Sequence, residues 1–144
     1  MTDWISLPLF ALLPTAALFG GMLFFAGVFA PLVFMKLPFE VASGFIRKVF
    51  PAYYAAGAVV AGLAGLLALG AEWRDGAVLL FVAAGFLFAR QGIMPAVNRT
   101  RDAELAGDKA AGQRFAALHR ASVVLNAVQL LAVLVVLVRL ALRA

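Results

Sequence analysis

Cysteine is absent from this chain, histidine occurs only once, as His119, and charged residues make up only 13% of the 144. Without cysteine the chain forms no disulfide and offers no thiolate to a metal ion. A zinc or copper site needs about three or four good ligands, which one histidine and scattered methionines do not supply. The hydrophobic fraction is 65%, whereas soluble domains are about 45–50% apolar and about 25% charged. The composition therefore excludes a soluble domain and indicates an integral membrane protein.

Catalytic motifs are also missing. The sequence has no acid–base pair, no nucleophile–base pair and no phosphate-binding glycine motif. Ser122 lies one helical turn after His119, but neighbours on one helix rarely reach triad geometry without a third, orienting group. The sequence favours a protein that is not an enzyme.

Four long apolar stretches predict an all-α integral membrane bundle of four transmembrane helices. The chain is long enough for four helices of about 20 residues with short loops, in one domain over residues 1–144. The predicted spans cover about 7–35, 51–71, 77–97 and 115–142. The first stretch is too long for a signal-peptide core and no basic segment precedes it, so we expect it to be retained as a span.

The first span is longer than the membrane is thick. Residues 7–35 make a helix of about 43 Å, against a hydrocarbon core of about 30 Å. Tilt, protrusion, or a kink at Pro14 or Pro31 must absorb the difference. We also expect Trp4 to anchor the chain at the interface and Ser6 to start the helix. Close helix packing is predicted at glycines of the first two spans, namely Gly20, Gly21, Gly27, Gly57, Gly62, Gly65 and Gly70.

The segment from Lys36 to Pro51 is amphipathic. Its apolar residues recur at helical spacing, at Phe39, Ala42, Phe45, Ile46 and Val49. This pattern predicts a short helix in the membrane interface, with a connecting loop as the alternative. The second span then begins at Phe50, with Tyr53 and Tyr54 at interfacial depth.

The third span carries Arg90 close to one end. Ending the helix at Ala89 leaves about 20 Å, too short to cross a membrane, so we expect Arg90 to lie within the inner leaflet. Its side chain is expected to snorkel to the interface, with pairing to Glu40 or a place beside the polar residues of the last span as alternatives. Pro95 indicates a kink or the end of the span. Residues 98–114 are expected to be a solvated loop, in which Thr100 is a candidate cap for a short helix that ends at Gly107 and Asp108 a candidate cap for a helix continuing into the fourth span.

Lysine and arginine are distributed unevenly between the two sides of the predicted bundle. One side carries Lys36, Arg47, Lys48, Arg90, Arg99, Arg101, Lys109, Arg114 and Arg120, and the other only Arg74, Arg139 and Arg143. By the positive-inside rule both termini lie outside the cytoplasm, and we expect the membrane to be the bacterial inner membrane. Because the positive charges adjoin the spans, the net charge of +5 predicts contacts with anionic lipid and not with nucleic acid.

The last span carries a stripe of polar residues that we call the polar seam: His119, Ser122, Asn126 and Gln129. Their spacing of three, four and three residues places all four on one side of a helix. Polar side chains facing hydrocarbon are costly, so the polar seam is expected to face other protein or a water-filled cavity. Packing against another copy, in a homo-oligomer, would satisfy the same requirement.

Three motifs resemble those of an uncharacterised membrane family. They are Phe50-Pro51-x-Tyr53-Tyr54, Pro95-x-x-Asn98 and Phe115-x-x-Leu118-His119-Arg120-x-Ser122-x-x-x-Asn126. The family is the one that includes transmembrane protein 205, and the likeness extends from the first span to the fourth. The resemblance implies a four-span membrane protein with these motifs near the cytoplasmic side, and it implies no reaction.

The sequence leaves two functions open. In the first, which needs no cofactor, the polar seam handles a small polar solute or an ion, or holds the protein together as a structural membrane component. The residues expected to support it are Tyr53, Tyr54, Arg90 and Asn98, with His119 hydrogen-bonded to Tyr53, Tyr54 or Asn98. In the alternative, His119 binds haem in a membrane redox protein, alone or together with a second copy. Charge-coupled transport is disfavoured, since no acidic residue lies at mid-membrane depth.

Overall fold

The computed structural model describes residues 7–144, so the roles expected of Trp4 and Ser6 lie outside the described residues. Within that range the chain forms four long helices. The first is α-helical over Leu7–Phe24, π-helical over Phe25–Phe29 and α-helical over Ala30–Lys36; the second is Phe39–Leu69. The third is α-helical over Trp73–Phe88, π-helical over Ala89–Ile93 and α-helical over Met94–Leu105; the last is Lys109–Ala141. All four are long and apolar enough to cross a membrane, which confirms the predicted fold class.

The helices form an up-and-down bundle. The first and the third helix each pack against the second and the last. The connections over 37–38, 70–72 and 106–108 are very short, so consecutive helices run antiparallel. The turn at 70–72 therefore lies at the same end of the bundle as the C-terminal end of the last helix.

Small residues bring the second and third helices close together. From Gly57 onward, the buried residues of the second helix are all small: Gly57, Ala58, Ala61, Ala64, Gly65 and Ala68. A Cβ atom on Gly57 would lie 2.6 Å from the Phe86 ring, and one on Gly65 would lie 2.9 Å from Leu80. These contacts are too short for any side chain, so both positions require glycine at the present helix separation.

The prediction of close packing is confirmed at Gly57 and Gly65 and is wrong at Gly20, Gly21, Gly27 and Gly62. A Cβ atom at Gly62, Gly20, Gly21 or Gly27 would meet no described atom within 4 Å. Gly62 lies off the buried stripe of the second helix, because its neighbours Ala61 and Ala64 define that stripe and one residue turns a helix by about 100°. The first helix buries a different face, which includes Ala11, Leu18 and Met22.

Each π-helical segment ends shortly before a proline. The Ala30 N–H donates to the Phe25 carbonyl and precedes Pro31, and the Met94 N–H donates to the Ala89 carbonyl and precedes Pro95. Proline lacks an N–H and its ring crowds the carbonyl four residues earlier, so we attribute these wider turns to the prolines. The irregularity of the first helix thus lies beside Pro31. The third helix does not end at Pro95 but continues to Leu105.

The segment predicted as a short interfacial helix is helical but is not separate. The helix begins at Phe39 and runs without interruption through Pro51 into the second span. Ala42 and Ile46 are buried, and this packing holds the helix together on the N-terminal side of Pro51, although a proline removes one backbone hydrogen bond.

The solvated stretch over 98–114 is mostly helical. Thr100 lies inside the third helix and does not cap a helix, whereas the cap predicted at Asp108 is confirmed. Only 106–108 connects the third and last helices, where Gly107 adopts a φ of 101°, a backbone conformation that favours glycine. The Asp108 carboxylate accepts hydrogen bonds from the N–H groups of Ala110 and Ala111, at 2.9 and 3.3 Å. This cap makes the last helix begin at Lys109 and not near Phe115.

Candidate functional site

Asn126 of the polar seam points into the bundle. Its amide nitrogen donates a hydrogen bond to the Tyr53 hydroxyl oxygen at 2.9 Å. The Tyr53 ring stacks on Phe25 with centroids 3.9 Å apart and meets Phe86 edge-on at 5.9 Å. Phe25 is the first residue of the π-helical segment in the first helix. Asn126 and Tyr53 therefore join a cluster to which all four helices contribute.

Gln129 lies one turn further along the last helix and is 6% exposed. Its amide nitrogen donates to the backbone carbonyl of Val82, in the third helix, at 2.9 Å. A Cβ atom on Gly85 would lie 2.6 Å from that nitrogen. The glycine therefore leaves the space through which the Gln129 side chain reaches the third helix.

Ser122 and His119 do not take part in these contacts between helices. The Ser122 hydroxyl donates to the carbonyl of His119 in its own helix, at 2.7 Å. The His119 ring is exposed and stacks on Phe115 with centroids 5.9 Å apart. The prediction that His119 forms a hydrogen bond with Tyr53, Tyr54 or Asn98 is wrong, because the described side chains form no hydrogen bond between His119 and any of the three. His119 lies two turns, about 10 Å, beyond Asn126, and Tyr53 already binds Asn126.

The residues that were expected to support the polar seam also differ in whether they lie inside the bundle. Tyr54 is buried and stacks on Phe50, with centroids 5.3 Å apart. Arg90 is exposed within the second π-helical segment and forms no ion pair with Glu40 in the described part of the chain. Asn98 is half-buried on the third helix. Of these residues only Tyr53 contacts the polar seam directly, at Asn126; Tyr54 packs beside Tyr53, and Arg90 lies outside the polar seam.

An ion cluster that the sequence did not predict links the last helix to the start of the third helix and to the turn before it. The Asp75 side chain is only 3% exposed, and its two oxygens accept from Arg139 at 2.7 Å and from Arg143 at 2.9 Å. Arg143 also lies 3.7 Å from Glu72. Arg139 and Arg143 are four residues apart and thus lie on the same side of the last helix, but this spacing alone does not identify Asp75 as their partner.

The opposite end of the bundle holds a second cluster that was missed. Arg47 makes two hydrogen bonds with Asp102, at 2.7 and 2.9 Å. Arg101 lies between the rings of Phe39 and Phe115, at 5.5 and 5.3 Å from their centroids. A cation between two aromatic faces is stabilised by both of them. These contacts fasten the long helical extensions beyond the apolar spans to one another.

A lateral groove lies between the third and last helices, on the side of the bundle. Its deeper part, of about 320 Å³, is lined mainly by apolar residues and includes Val78, Phe81, Gly85, Leu125, Gln129 and Ala132. Its outer part, of about 390 Å³, also touches Val78 and Ala132 and extends to Arg74 and Arg139. The groove opens sideways and does not run along the centre of the bundle, since the residues between the helices are packed.

Metal ligands are not grouped in the described residues, where no cluster of three or more histidine, aspartate or glutamate side chains occurs. Haem ligation by His119 stays a prediction. The described chain offers that position one exposed imidazole beside Phe115.

The comparisons with known proteins give a family and no activity. The family described as "Domain of unknown function (DUF4149)" matches residues 13–106. No curated protein matches the chain, and no solved structure matches it. The matched range includes the motifs at 50–54 and 95–98 and ends before the motif at 115–126, so the likeness to transmembrane protein 205 stays a resemblance. The matched range covers more than half of the four-helix chain, which belongs to the uncharacterised DUF4149 family.

Proposed function

We propose that this protein is a non-catalytic structural component of the membrane, in which Asn126 and Gln129 of the polar seam hold the helices together. The observation that carries the proposal is the use of both amide groups inside the bundle: Asn126 donates to Tyr53 and Gln129 donates to the Val82 carbonyl. Hydrogen bonds between membrane helices stabilise their association, by about 1 kcal/mol each.

The surroundings of Gln129 support a structural role over solute transfer. A solute or ion path needs polar groups that can replace water around the solute. The space beside Gln129 is bounded by apolar residues such as Phe81 and Leu125. The Gln129 amide nitrogen is already bound to a backbone carbonyl. The Ser122 hydroxyl likewise donates within its own helix, so each of three members of the polar seam already makes a hydrogen bond to protein.

A flux assay tests this proposal. Purified protein is reconstituted into liposomes, and the movement of protons, potassium, sodium, glycerol and urea is followed for the wild type and for Asn126→Leu. Val124→Leu serves as the control, because Val124 is exposed on the same helix and does not line the groove. We expect all three proteins to give the flux of protein-free liposomes. A wild-type flux that Asn126→Leu lowers and Val124→Leu leaves unchanged would establish transport instead.

A further inference from the structure

The lateral groove is continuous over a length that corresponds to one membrane leaflet. Val78 and Ala132 line both of its parts, so the two parts adjoin. Along the third helix the groove extends from Arg74 to Gly85, which corresponds to about 16 Å of helix. Half of the hydrocarbon core is about 15 Å thick. An acyl chain of one leaflet therefore matches the groove in length.

Small residues keep the groove open, and large apolar ones form its edges. Ala77, Gly85 and Ala132 lie where longer side chains would close the space between the helices. Phe81 and Val128, which also line the groove, are 81% and 58% exposed. An apolar concave surface of this kind on a membrane helix pair accepts a hydrocarbon chain.

The outer end of the groove carries arginines whose positive charge is not fully neutralised by ion pairs within the protein. Both oxygens of Asp75 are bound by arginines, and Arg139 uses its Nε atom for this bond. The Arg139 side chain is still 41% exposed. Arg74 forms no ion pair among the described residues, and its guanidinium lies 5.5 Å from the ring centroid of Trp73. Tryptophan is typical of the interface, the depth at which lipid phosphates lie.

The inner end of the groove has no comparable group. Gln129 is buried there and its amide nitrogen is occupied by the Val82 carbonyl. The groove thus has one cationic end at interfacial depth and an apolar end towards the middle of the membrane. We propose that it binds one anionic phospholipid, with an acyl chain between the third and last helices and the phosphate at Arg74 and Arg139. This proposal is independent of the structural role of the polar seam.

Native mass spectrometry of the detergent-purified full chain tests the proposal. Phosphatidylglycerol and phosphatidylcholine with identical acyl chains are offered together, and the lipid-bound fractions are compared. We expect one phosphatidylglycerol per chain. Ala77→Phe fills the groove and should lower the bound fraction about fivefold, a modest loss of contact energy. The control is Ala56→Phe, because Ala56 is exposed on the second helix, away from the groove; we expect it to bind as the wild type does.

A second variant, which removes a charge and does not fill the groove, tests the proposal even if Ala77→Phe impairs folding. Arg74→Gln removes an exposed cation and should lower the preference for phosphatidylglycerol about fivefold, since one arginine near anionic lipid contributes about this much. Arg120→Gln, at the other end of the bundle, should leave the preference unchanged. Equal binding of the two lipids, or unchanged binding to Ala77→Phe, would overturn the proposal. A dimer that Ala77→Phe alone dissociates, without bound lipid, would assign the groove to a second copy and overturn it as well.

Discussion

The amide nitrogen of Asn126 lies 2.9 Å from the hydroxyl oxygen of Tyr53, and this hydrogen bond joins the last helix to the second. Tyr53 also stacks on Phe25, which the π-helical segment of the first helix presents to it. One polar contact and one aromatic contact therefore fix three helices at a single point. Polar residues that would be costly in lipid are here used to specify how the helices pack.

Gly85 is expected to be essential for the contact made by Gln129. Gly85→Ala places a methyl group 2.6 Å from the present position of the Gln129 amide nitrogen, so either the hydrogen bond to Val82 breaks or the helices separate. We expect a loss of about 1–3 kcal/mol in the free energy of unfolding. Thermal or denaturant unfolding in detergent measures it.

Gly62→Ala is the matched control for Gly85→Ala, because a Cβ atom at Gly62 meets no described atom within 4 Å. We expect this variant to be as stable as the wild type or more stable. Equal stability of both alanine variants and the wild type would contradict the role assigned to Gly85.

Asp75 is expected to stabilise the end of the bundle where the last helix finishes. The Asp75 side chain is only 3% exposed, and Asp75→Asn removes the only carboxylate bound by Arg139 among the described residues. Arg143 keeps only the longer contact with Glu72, at 3.7 Å. The expected loss is about 1–3 kcal/mol, below that of a fully buried pair because both arginines are about 40% exposed. Asp102→Asn, in the exposed pair with Arg47, should change the melting temperature much less. The reverse order of the two variants would contradict this account.

The orientation of the protein is tested with single cysteines, because the chain contains none. Ala144→Cys lies at the C-terminal end and Ala106→Cys in the turn before the last helix, and both positions are exposed. If both termini lie outside the cytoplasm, a membrane-impermeant maleimide should label Ala144→Cys in spheroplasts. It should label Ala106→Cys only after the membrane is permeabilised. Labelling of Ala106→Cys in spheroplasts, with Ala144→Cys labelled only after permeabilisation, would contradict the predicted topology.

Haem binding through His119 is tested by an absorption spectrum. If the protein is a structural component, as proposed, then protein purified from haem-replete cells should show no Soret band. A stoichiometric Soret band that His119→Ala removes would support the redox function and contradict the proposed one. His119→Gln is a second variant that removes the imidazole but keeps a polar side chain. Because His119 is exposed, neither replacement should alter the packing of the bundle.

The fold was predictable from the sequence because four long apolar stretches with few charges permit few other structures. Asn126 and Gln129 were expected to face protein or water, and both contact protein. Periodicity alone did not separate them from His119 and Ser122. All four lie on one side of the helix, but a neighbouring helix provides a hydrogen-bond partner only at certain positions along the helix axis. Those positions depend on how the whole helices pack.

The helix ends and the ion clusters were harder to predict for other physical reasons. Pro51 and Pro95 normally indicate helix ends, yet tertiary packing and a π-helical turn keep both helices continuous. Arginines at the ends of spans were interpreted as topology signals. Arg139 in fact binds the carboxylate of Asp75 at the start of the third helix, 64 residues away in the sequence. This contact could be predicted only if the antiparallel arrangement were known.

A double-mutant cycle on Tyr53 and Asn126 tests most directly whether the polar seam holds the bundle together. The free energies of unfolding are compared for the wild type, Tyr53→Phe, Asn126→Leu and the double variant in the same detergent. We predict a favourable coupling of about 1 kcal/mol between the two side chains. Losses that simply add, with a coupling below about 0.3 kcal/mol, would contradict the account.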